Sequence, residues 1–404
     1  MWLIAGFSRR ASGAFHPNIA PLAAAGVPDY GPCMGKRVCY IHIGPHKTGT
    51  SSIQWFLKEN RAELLKYGYF VPESGAIHGA HHAIGRKLCG QELPDHEQSA
   101  AANFARALER TPSEAVIVSS EALEGLLRNR DYARAFFTRI RELNLEPKLV
   151  LFPRNQSQQI NSLYSSVVKR FCRSEPFEAF VQEVTQRANA RYSPLIKLAA
   201  TYDAELVARP FTGETIAHGV IPEFLRAIGL DPSRFPDTNV RRNEDVGPFT
   251  VSVARRVSRS IGAAGKQLKW LQAVRCQTKL AAYLEENSLA DAGYCGLATG
   301  LARHIERQSR SDNDAFAQRV WSRPWAEIFA ADIGQEFMPN DFDMCRPNES
   351  IEGRLGLAIR DITAVAKHVL LDPALTIEAP WNDFQRRGGW TPHAWIRALP
   401  LTPP

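Results

Sequence analysis

The chain of 404 residues carries a formal net charge of +7, with 44% apolar and 23% charged residues. This length suffices for one large domain or two ordinary ones, and the apolar fraction is enough for a substantial core. No run of about 18 apolar residues argues for a membrane span, and the basic residues are scattered, which does not favour nucleic-acid binding.

The cysteines are odd in number, and no two of them have the C-x-x-C spacing. They are Cys33, Cys39, Cys89, Cys172, Cys276, Cys295 and Cys345. This pattern argues against a disulfide framework and against a zinc site. We therefore expect a cytoplasmic protein without a bound metal.

Residues 1–35 are rich in small residues, proline and glycine, and we expect a disordered tail there. Arg9-Arg10 resembles a twin-arginine export signal, but the apolar stretch after it is short and interrupted by Pro17 and Pro21. Met34 lies just before the first predicted strand and is an alternative start of translation.

Between residues 36 and 250, apolar runs typical of buried strands alternate with helical periodicity. Strands are predicted at 37–44, 69–72, 114–123 (where the run continues into a helix), 147–155 and 204–211. Helices are predicted at 50–67, 76–110, 131–142, 156–169, 176–189, 193–202 and 221–230. Nearly continuous apolar strands that alternate with helices predict an α/β domain, whose parallel sheet is covered on both faces.

No further strand is predicted after residue 246. Helical patterns cover 246–262, 264–286, 298–310, 313–332 and 350–370. We expect a helical extension over 251–370, which could form a lid on an acceptor cleft, and an irregular tail over 371–404, rich in proline and tryptophan.

The segment IHIGPHKTGTSS (41–52) joins the first strand to the first helix through a glycine-containing loop. Backbone N–H groups of such a loop and of the helix N-terminus form an anion site. A Walker A loop has its lysine directly after the second glycine. Here Thr50 follows Gly49, and Lys47 lies two residues before that glycine.

The stretch HIGPHKTGTSSIQ resembles the 5′-phosphosulfate loop of sulfotransferases that use 3′-phosphoadenosine 5′-phosphosulfate (PAPS), in particular the bacterial carbohydrate-type enzymes. The resemblance covers about residues 37–250 and implies a three-layer α/β/α fold of the P-loop nucleoside triphosphate hydrolase type. It also implies that Lys47 contacts the leaving side of the phosphosulfate. The cofactor-binding residues that it implies in this loop are Gly44, His46, Lys47, Thr48, Gly49, Thr50 and Ser51.

A second motif of the family is an arginine at the end of a later strand, followed eight positions on by a serine in the next helix. Arg154 and Ser162 have this spacing, and the resemblance implies that they bind the 3′-phosphate of PAPS. Arginine has a planar charged fork that suits phosphate. Taken singly, the two could be an ordinary surface arginine and a helix-face serine. Arg241 and Arg242 fall where the family often has a basic loop, although a solvated charge pair explains them equally well.

Two sets of residues are candidates for the base that deprotonates the acceptor. Glu121 ends the strand before the second motif, where the family has a glutamate or a histidine. Its alternative role is an acid that stabilises a helix N-terminus. His81 and His82 are the second candidates, and a surface histidine pair is the alternative for them. His42, on a buried strand, is expected to be structural.

The sequence therefore predicts a sulfotransferase that moves a sulfuryl group from PAPS to a hydroxyl or amine of a carbohydrate or glycolipid, and releases 3′,5′-adenosine bisphosphate. We expect no metal, no nucleic-acid partner and no integral membrane contact. Two alternatives remain open: an atypical P-loop kinase that uses ATP and magnesium, and a non-catalytic protein of the same fold that binds a nucleotide or a glycan.

Overall fold

The structure, a computed structural model, describes residues 35–73, 79–93, 95–186, 191–236, 238, 246–372 and 375. Five parallel strands form one sheet in the spatial order β2-β3-β1-β4-β5. The strands are β1 Arg37–Gly44, β2 Tyr69–Phe70, β3 Ala115–Ser119, β4 Leu145–Leu151 and β5 Glu205–Ala208. The predicted α/β class with a parallel sheet is confirmed.

The central strand β1 is buried because its two faces belong to two different cores. Ile41 pairs with Val118 of β3 and with Leu149 of β4, and it packs into the core on one face. His42 points to the opposite face, where its ring lies edge-on to Phe152 and Phe224. Successive strand residues alternate between faces, so the apolar run of β1 serves both cores.

Helices cover both faces of the sheet in the first part of the chain. They are α1 Thr50–Glu59, α2 Arg61–Lys66, α3 His82–Leu88, α4 Asp95–Arg110, α5 Ala122–Leu126, α6 Arg130–Glu142, α7 Gln156–Val168, α8 Phe177–Gln186, α9 Ser193–Thr201, α10 Gly213–His218 and α11 Val220–Ala227. Side chains of α1, α2 and α11 form the core on one face, and those of α3–α6 and α9 form the larger core on the other. The helical pattern predicted at 76–110 is interrupted, since Gly90, two residues after the end of α3, adopts a φ of 79°.

Six helices follow: α12 Pro248–Ala263, α13 Trp270–Glu286, α14 Thr299–Trp321, α15 Trp325–Ile328, α16 Ala330–Ile333 and α17 Glu349–Val369. Together with α7 and α8, helices α12, α13, α14 and α17 enclose a third apolar core. The sheet's larger core also includes Phe316 of α14, Trp325 of α15 and Phe329, which directly follows α15. Helices from before residue 250 thus pack in the C-terminal core, and side chains from after residue 250 pack in the core of the sheet.

Helix α14 is continuous where the sequence predicted two helices, at 298–310 and 313–332. The polar residues near the predicted break are used in tertiary contacts. Asn313 is buried and exchanges two side-chain hydrogen bonds with Gln156, at 2.5 and 2.8 Å. Asp312 accepts a 2.6 Å hydrogen bond from the backbone N–H of Tyr192. These partners offset the low helix propensity of asparagine and aspartate.

No helix within the described ranges is both long enough and apolar enough to cross a membrane. The predicted tails at 1–35 and 371–404 lie almost entirely outside the described residues.

Candidate active site

The predicted site residues follow three adjacent strands at the carboxyl edge of the sheet. The loop 44–49 follows β1, Glu121 follows β3, and Arg154 follows β4, and β1 lies between β3 and β4. The connection that leaves β1 leads to β2 at one edge of the sheet, and the connection that leaves the neighbouring β4 leads to β5 at the opposite edge. Such a switch point opens a crevice at the carboxyl ends of the strands, which is where open α/β sheets bind ligands.

The loop 44–49 adopts a tight conformation that depends on its glycines. The φ angles of Gly44 and Gly49 are 98° and 77°, and Lys47 between them has a φ of 69°. A Cβ atom added to Gly49 would lie 2.6 Å from Cγ1 of Val220, at the start of α11. The second glycine of the motif is therefore required both by its backbone angle and by the close approach of α11.

Four consecutive backbone N–H groups end this loop and begin α1. Among the residues that the structure describes, the N–H groups of Thr48, Gly49, Thr50 and Ser51 have no hydrogen-bond acceptor. The first three of these residues are buried, and Ser51 is half-buried. Unpaired buried N–H groups are rare in proteins, and a row of them at a helix N-terminus is suited to an anion.

Contacts on the opposite side fix the loop in this shape. The carbonyl oxygen of Lys47 accepts a 2.8 Å hydrogen bond from Nη1 of Arg154, and that of His46 accepts one of 3.3 Å from Nε2 of Gln159. The hydroxyl of Thr48 donates to the carbonyl oxygen of Pro45 at 2.7 Å. The Thr48 hydroxyl is thus used inside the loop, and only its N–H group remains for a ligand.

Arg154 and Ser162, predicted to act together, line one cavity of about 300 Å³ between α7, α10 and the C-terminal region. The guanidinium of Arg154 lies 5.4 Å from the ring centroid of Phe211. Within the described part of the chain, the Ser162 hydroxyl has no hydrogen-bond partner. The eight-residue spacing therefore does bring a cation and an available hydroxyl to the same cavity.

A second charged residue of this cavity, Asp332 of α16, was not among the predicted site residues. Its side chain is buried, and Oδ1 accepts a 3.3 Å hydrogen bond from Nε2 of Gln158. Burial raises the pKa of Asp332, while Gln158, the backbone of Gly213 and the positive charge of Arg154 oppose that shift. A lone aspartate within a helix of four residues gives no sequence signal that it lines a cavity formed by distant residues.

Glu121 lies against the loop and is 1% exposed. Its Oε2 accepts a 2.5 Å hydrogen bond from Nε2 of Gln54 in α1 and lies 3.7 Å from Nε2 of His82. A Cβ atom on Gly44 would lie 3.1 Å from Cβ of Glu121. Gln54, which belongs to the stretch GTSSIQ, is thus a further site residue that packs the first helix against the carboxylate.

The histidines near this edge are buried and neutral. His81 accepts a hydrogen bond from the N–H of Ser119 on Nδ1, so Nε2 carries the proton and donates it to the carbonyl oxygen of Pro72 at 2.8 Å. Burial lowers the pKa of His81 to about 4, and that of His82 to about 3, where Arg86 adds to the effect. His82 Nδ1 lies 2.9 Å from the Ser120 hydroxyl. Both nitrogens of His81 are therefore used: Nδ1 joins the segment before α3 to β3, and Nε2 bonds to the start of that same segment.

His42 occupies the structural position that was expected for it. Its Nδ1 lies 2.8 Å from the hydroxyl of Ser119, and burial lowers its pKa to about 3. Arg241 and Arg242 lie outside the described residues, so their predicted contact with a phosphate stays a prediction.

The described side chains include no group of three or more histidine, cysteine, aspartate or glutamate residues that could hold a metal ion. The site thus brings together a row of backbone donors, a cation–hydroxyl pair and a buried carboxylate. In comparisons with known proteins, no family model, no curated protein and no solved structure matches this chain.

Proposed function

We propose that this protein is a PAPS-dependent sulfotransferase with a P-loop type of fold. The observation that carries the proposal is the link between two anion sites. The unpaired N–H groups of 48–51 form one site, the cavity of Arg154 and Ser162 forms the other, and the 2.8 Å bond from Arg154 to the Lys47 carbonyl joins them. PAPS carries anionic groups at two ends, and this arrangement suits such a molecule.

The donor set fits the cofactor at both ends. Backbone N–H groups and the partial positive charge of the α1 N-terminus suit a 5′-phosphosulfate. A guanidinium with a nearby hydroxyl suits a 3′-phosphate. Among the described residues that line the second site, the carboxylate of Asp332 is the one charged group that opposes an anion.

PAPS supplies an activated sulfuryl group whose leaving group is a phosphate. The role of the loop is to stabilise the negative charge that develops on that phosphate, through donors that are already in position before the reaction. Lys47 contributes a full positive charge from the middle of the same loop. Because the Lys47 carbonyl is tied to Arg154, the two ends of the cofactor site are held in a fixed relation.

We propose Glu121 as the base that takes the proton from the acceptor hydroxyl. It follows β3 next to the loop, and Gln54 fixes one of its oxygens. His81 is a weaker candidate, since both of its ring nitrogens are already used in structural hydrogen bonds. Nε2 of His82 lies 3.7 Å from Oε2 of Glu121, close enough to position the carboxylate.

The acceptor that we propose is a carbohydrate or glycolipid. A second cavity of about 340 Å³ opens beside Asn155 and Gln156, directly after Arg154. Arg303, Arg307 and Arg310 of α14 line it, and their spacing places them on one face of that helix. Glu306 and Asp314 line the same cavity, so its charged groups are of both signs and suit the polar hydroxyl-rich surface of a glycan. The six described cysteines form no disulfide bond, and this accords with our proposal of a cytoplasmic location.

Thermal stabilisation by nucleotides tests the proposed function, because a ligand that binds only the folded protein raises its melting temperature. We expect a clear rise with 3′,5′-adenosine bisphosphate and a small one with ATP and magnesium. The reverse order would contradict the sulfotransferase proposal and favour the kinase. Arg154→Ala should reduce the rise, whereas Arg319→Ala, an exposed substitution on α14 away from the cavities, should leave it unchanged.

A further inference from the structure

The cavity that holds Arg154 and Ser162 contains groups of opposite charge. Arg154 is contributed by the segment after β4, and Asp332 by the short helix α16. The two are close enough for the arginine's charge to lower the pKa of the aspartate. A site that only bound phosphate would gain from the cation and lose from the carboxylate.

The carboxylate of Asp332 has an unused hydrogen-bonding capacity. Oδ1 accepts from Gln158 at 3.3 Å, but Oδ2 is buried and has no partner among the described residues. The side chain is 1% exposed, so bulk water does not compensate for the missing bond. A buried polar atom without a partner costs free energy, and a hydrogen-bond donor on a bound ligand would remove that cost.

We propose that Asp332 accepts a hydrogen bond from a hydroxyl group of the ligand in this cavity. The inference rests on the proposed function. The ligand end in this cavity is then a ribose with a 3′-phosphate, and the hydroxyl is the 2′-hydroxyl on the neighbouring carbon. Arg154 and Ser162 bind the phosphate, and Asp332 recognises the group beside it. The helical region after residue 250 thereby supplies a specificity-determining residue to the cofactor site.

The juxtaposition of a phosphate and a hydroxyl on adjacent carbons accounts for both charges in the cavity. A cation alone cannot distinguish a ribose from a deoxyribose, because the phosphate is the same in both. A buried carboxylate without a donor lowers the affinity for the ligand that lacks the hydroxyl, because the carboxylate oxygen then remains unpaired in the complex. Asp332 thus makes the site selective for a ribonucleotide bisphosphate over its 2′-deoxy analogue.

Isothermal titration calorimetry with two ligands tests this inference. The ligands are 3′,5′-adenosine bisphosphate and its 2′-deoxy analogue, and the proteins are the full chain and its Asp332→Asn variant. The readout is the ratio of the two dissociation constants for each protein. Any general effect of the lost negative charge on phosphate binding acts on both ligands and cancels in this ratio.

We expect the wild-type protein to bind the ribonucleotide about 10-fold more tightly, as for one hydrogen bond to a charged group. In Asp332→Asn the ratio should fall to about 2 or below, because the acceptor is no longer charged. Glu336→Gln removes a charge from an exposed residue nearby and should keep the wild-type ratio.

Two results would overturn the inference while the proposed function stands: equal binding of both ligands by the wild-type protein, or an unchanged ratio in Asp332→Asn. If neither ligand binds the wild-type protein, the proposed function itself fails, and this inference fails with it.

Discussion

Nη1 of Arg154 donates a 2.8 Å hydrogen bond to the carbonyl oxygen of Lys47, and so joins two motifs that lie 107 residues apart in sequence. The bond connects the loop after β1 to the segment after β4, the neighbouring strand. Arg154 also lines the cavity that contains Ser162. One side chain therefore holds the loop 44–49 in place and also lines the cavity that contains Ser162.

This double role predicts different effects for substitutions of Arg154 and Ser162. Arg154→Ala should lower the affinity for 3′,5′-adenosine bisphosphate about 10- to 100-fold through the loss of a charged hydrogen bond. It should also destabilise the fold by about 1–2 kcal/mol, since the Lys47 carbonyl loses its donor. Ser162→Ala should lower the affinity about 2- to 10-fold and leave stability unchanged, because its hydroxyl has no partner within the described structure.

Calorimetry and urea unfolding measure the two quantities separately. Arg319→Ala is the control for the loss of an exposed arginine. Unchanged affinity in both Arg154→Ala and Ser162→Ala would show that their cavity binds no phosphate.

Gly49 should tolerate no side chain. In Gly49→Ala the added Cβ atom meets Val220 at 2.6 Å and the residue must keep a φ of 77°, so we expect a loss of about 2–4 kcal/mol in unfolding free energy. Gly262→Ala is the matched control: it lies near the end of α12, where an added Cβ meets nothing within 4 Å, and should stabilise the protein by about 0.5–1 kcal/mol. Equal stability of the two variants, measured by urea unfolding, would contradict the loop geometry.

Glu121→Gln should separate chemistry from binding. If Glu121 is the base, the rate at which 3′,5′-adenosine bisphosphate forms from PAPS, with a panel of glycan acceptors, should fall at least about 100-fold. The dissociation constant of the bisphosphate should change less than about 2-fold, since Glu121 follows β3 and does not line the cavity of Arg154. Glu142→Gln, an exposed substitution at the end of α6, serves as the control. Full turnover in Glu121→Gln would rule out a base role and leave Glu121 a positioning residue.

The buried histidines predict a loss of stability in mild acid. The folded-state pKa values of His42, His81 and His82 lie at about 3, 4 and 3, below the ordinary value of 6.5. Below pH 6.5 the unfolded chain therefore binds protons that the folded chain does not. Stability should be constant above that pH and fall by up to about 1.4 kcal/mol per pH unit for each histidine.

Urea unfolding between pH 7 and pH 5 measures this slope. His42→Gln should reduce the slope by about one histidine's share, and His304→Gln, on the exposed surface of α14, should not. A slope of zero for the wild-type protein in this range would mean that the histidines are not buried as described.

The sequence predicted the parallel sheet and most of the helices, because apolar residues recur with a different period in buried strands and in amphipathic helices. It did not predict the continuity of α14. That continuity depends on the buried pair of Asn313 and Gln156, which are far apart in sequence. Local propensity at a run of serine, aspartate and asparagine favours a break, and a tertiary contact overrides it.

For the candidate site, the loop at 44–49 and the eight-residue spacing from Arg154 to Ser162 placed their residues at one sheet edge. The sequence motifs could not show that the Thr48 hydroxyl donates to the Pro45 carbonyl oxygen. Nor could they show that the His81 ring bonds to both the Ser119 N–H and the Pro72 carbonyl oxygen. Asp332 reaches the cavity only through the packing of α16 near α10, and no local pattern reports such a contact.

The central claim is that one anion site receives a 3′-phosphate and the other a 5′-phosphate of the same nucleotide. The most direct test compares the dissociation constants of 3′,5′-adenosine bisphosphate and 5′-adenosine monophosphate by calorimetry. We predict that the bisphosphate binds at least about 10-fold more tightly to the wild-type protein, and that Arg154→Ala removes most of this difference. Equal affinities of the two nucleotides for the wild-type protein would contradict the claim.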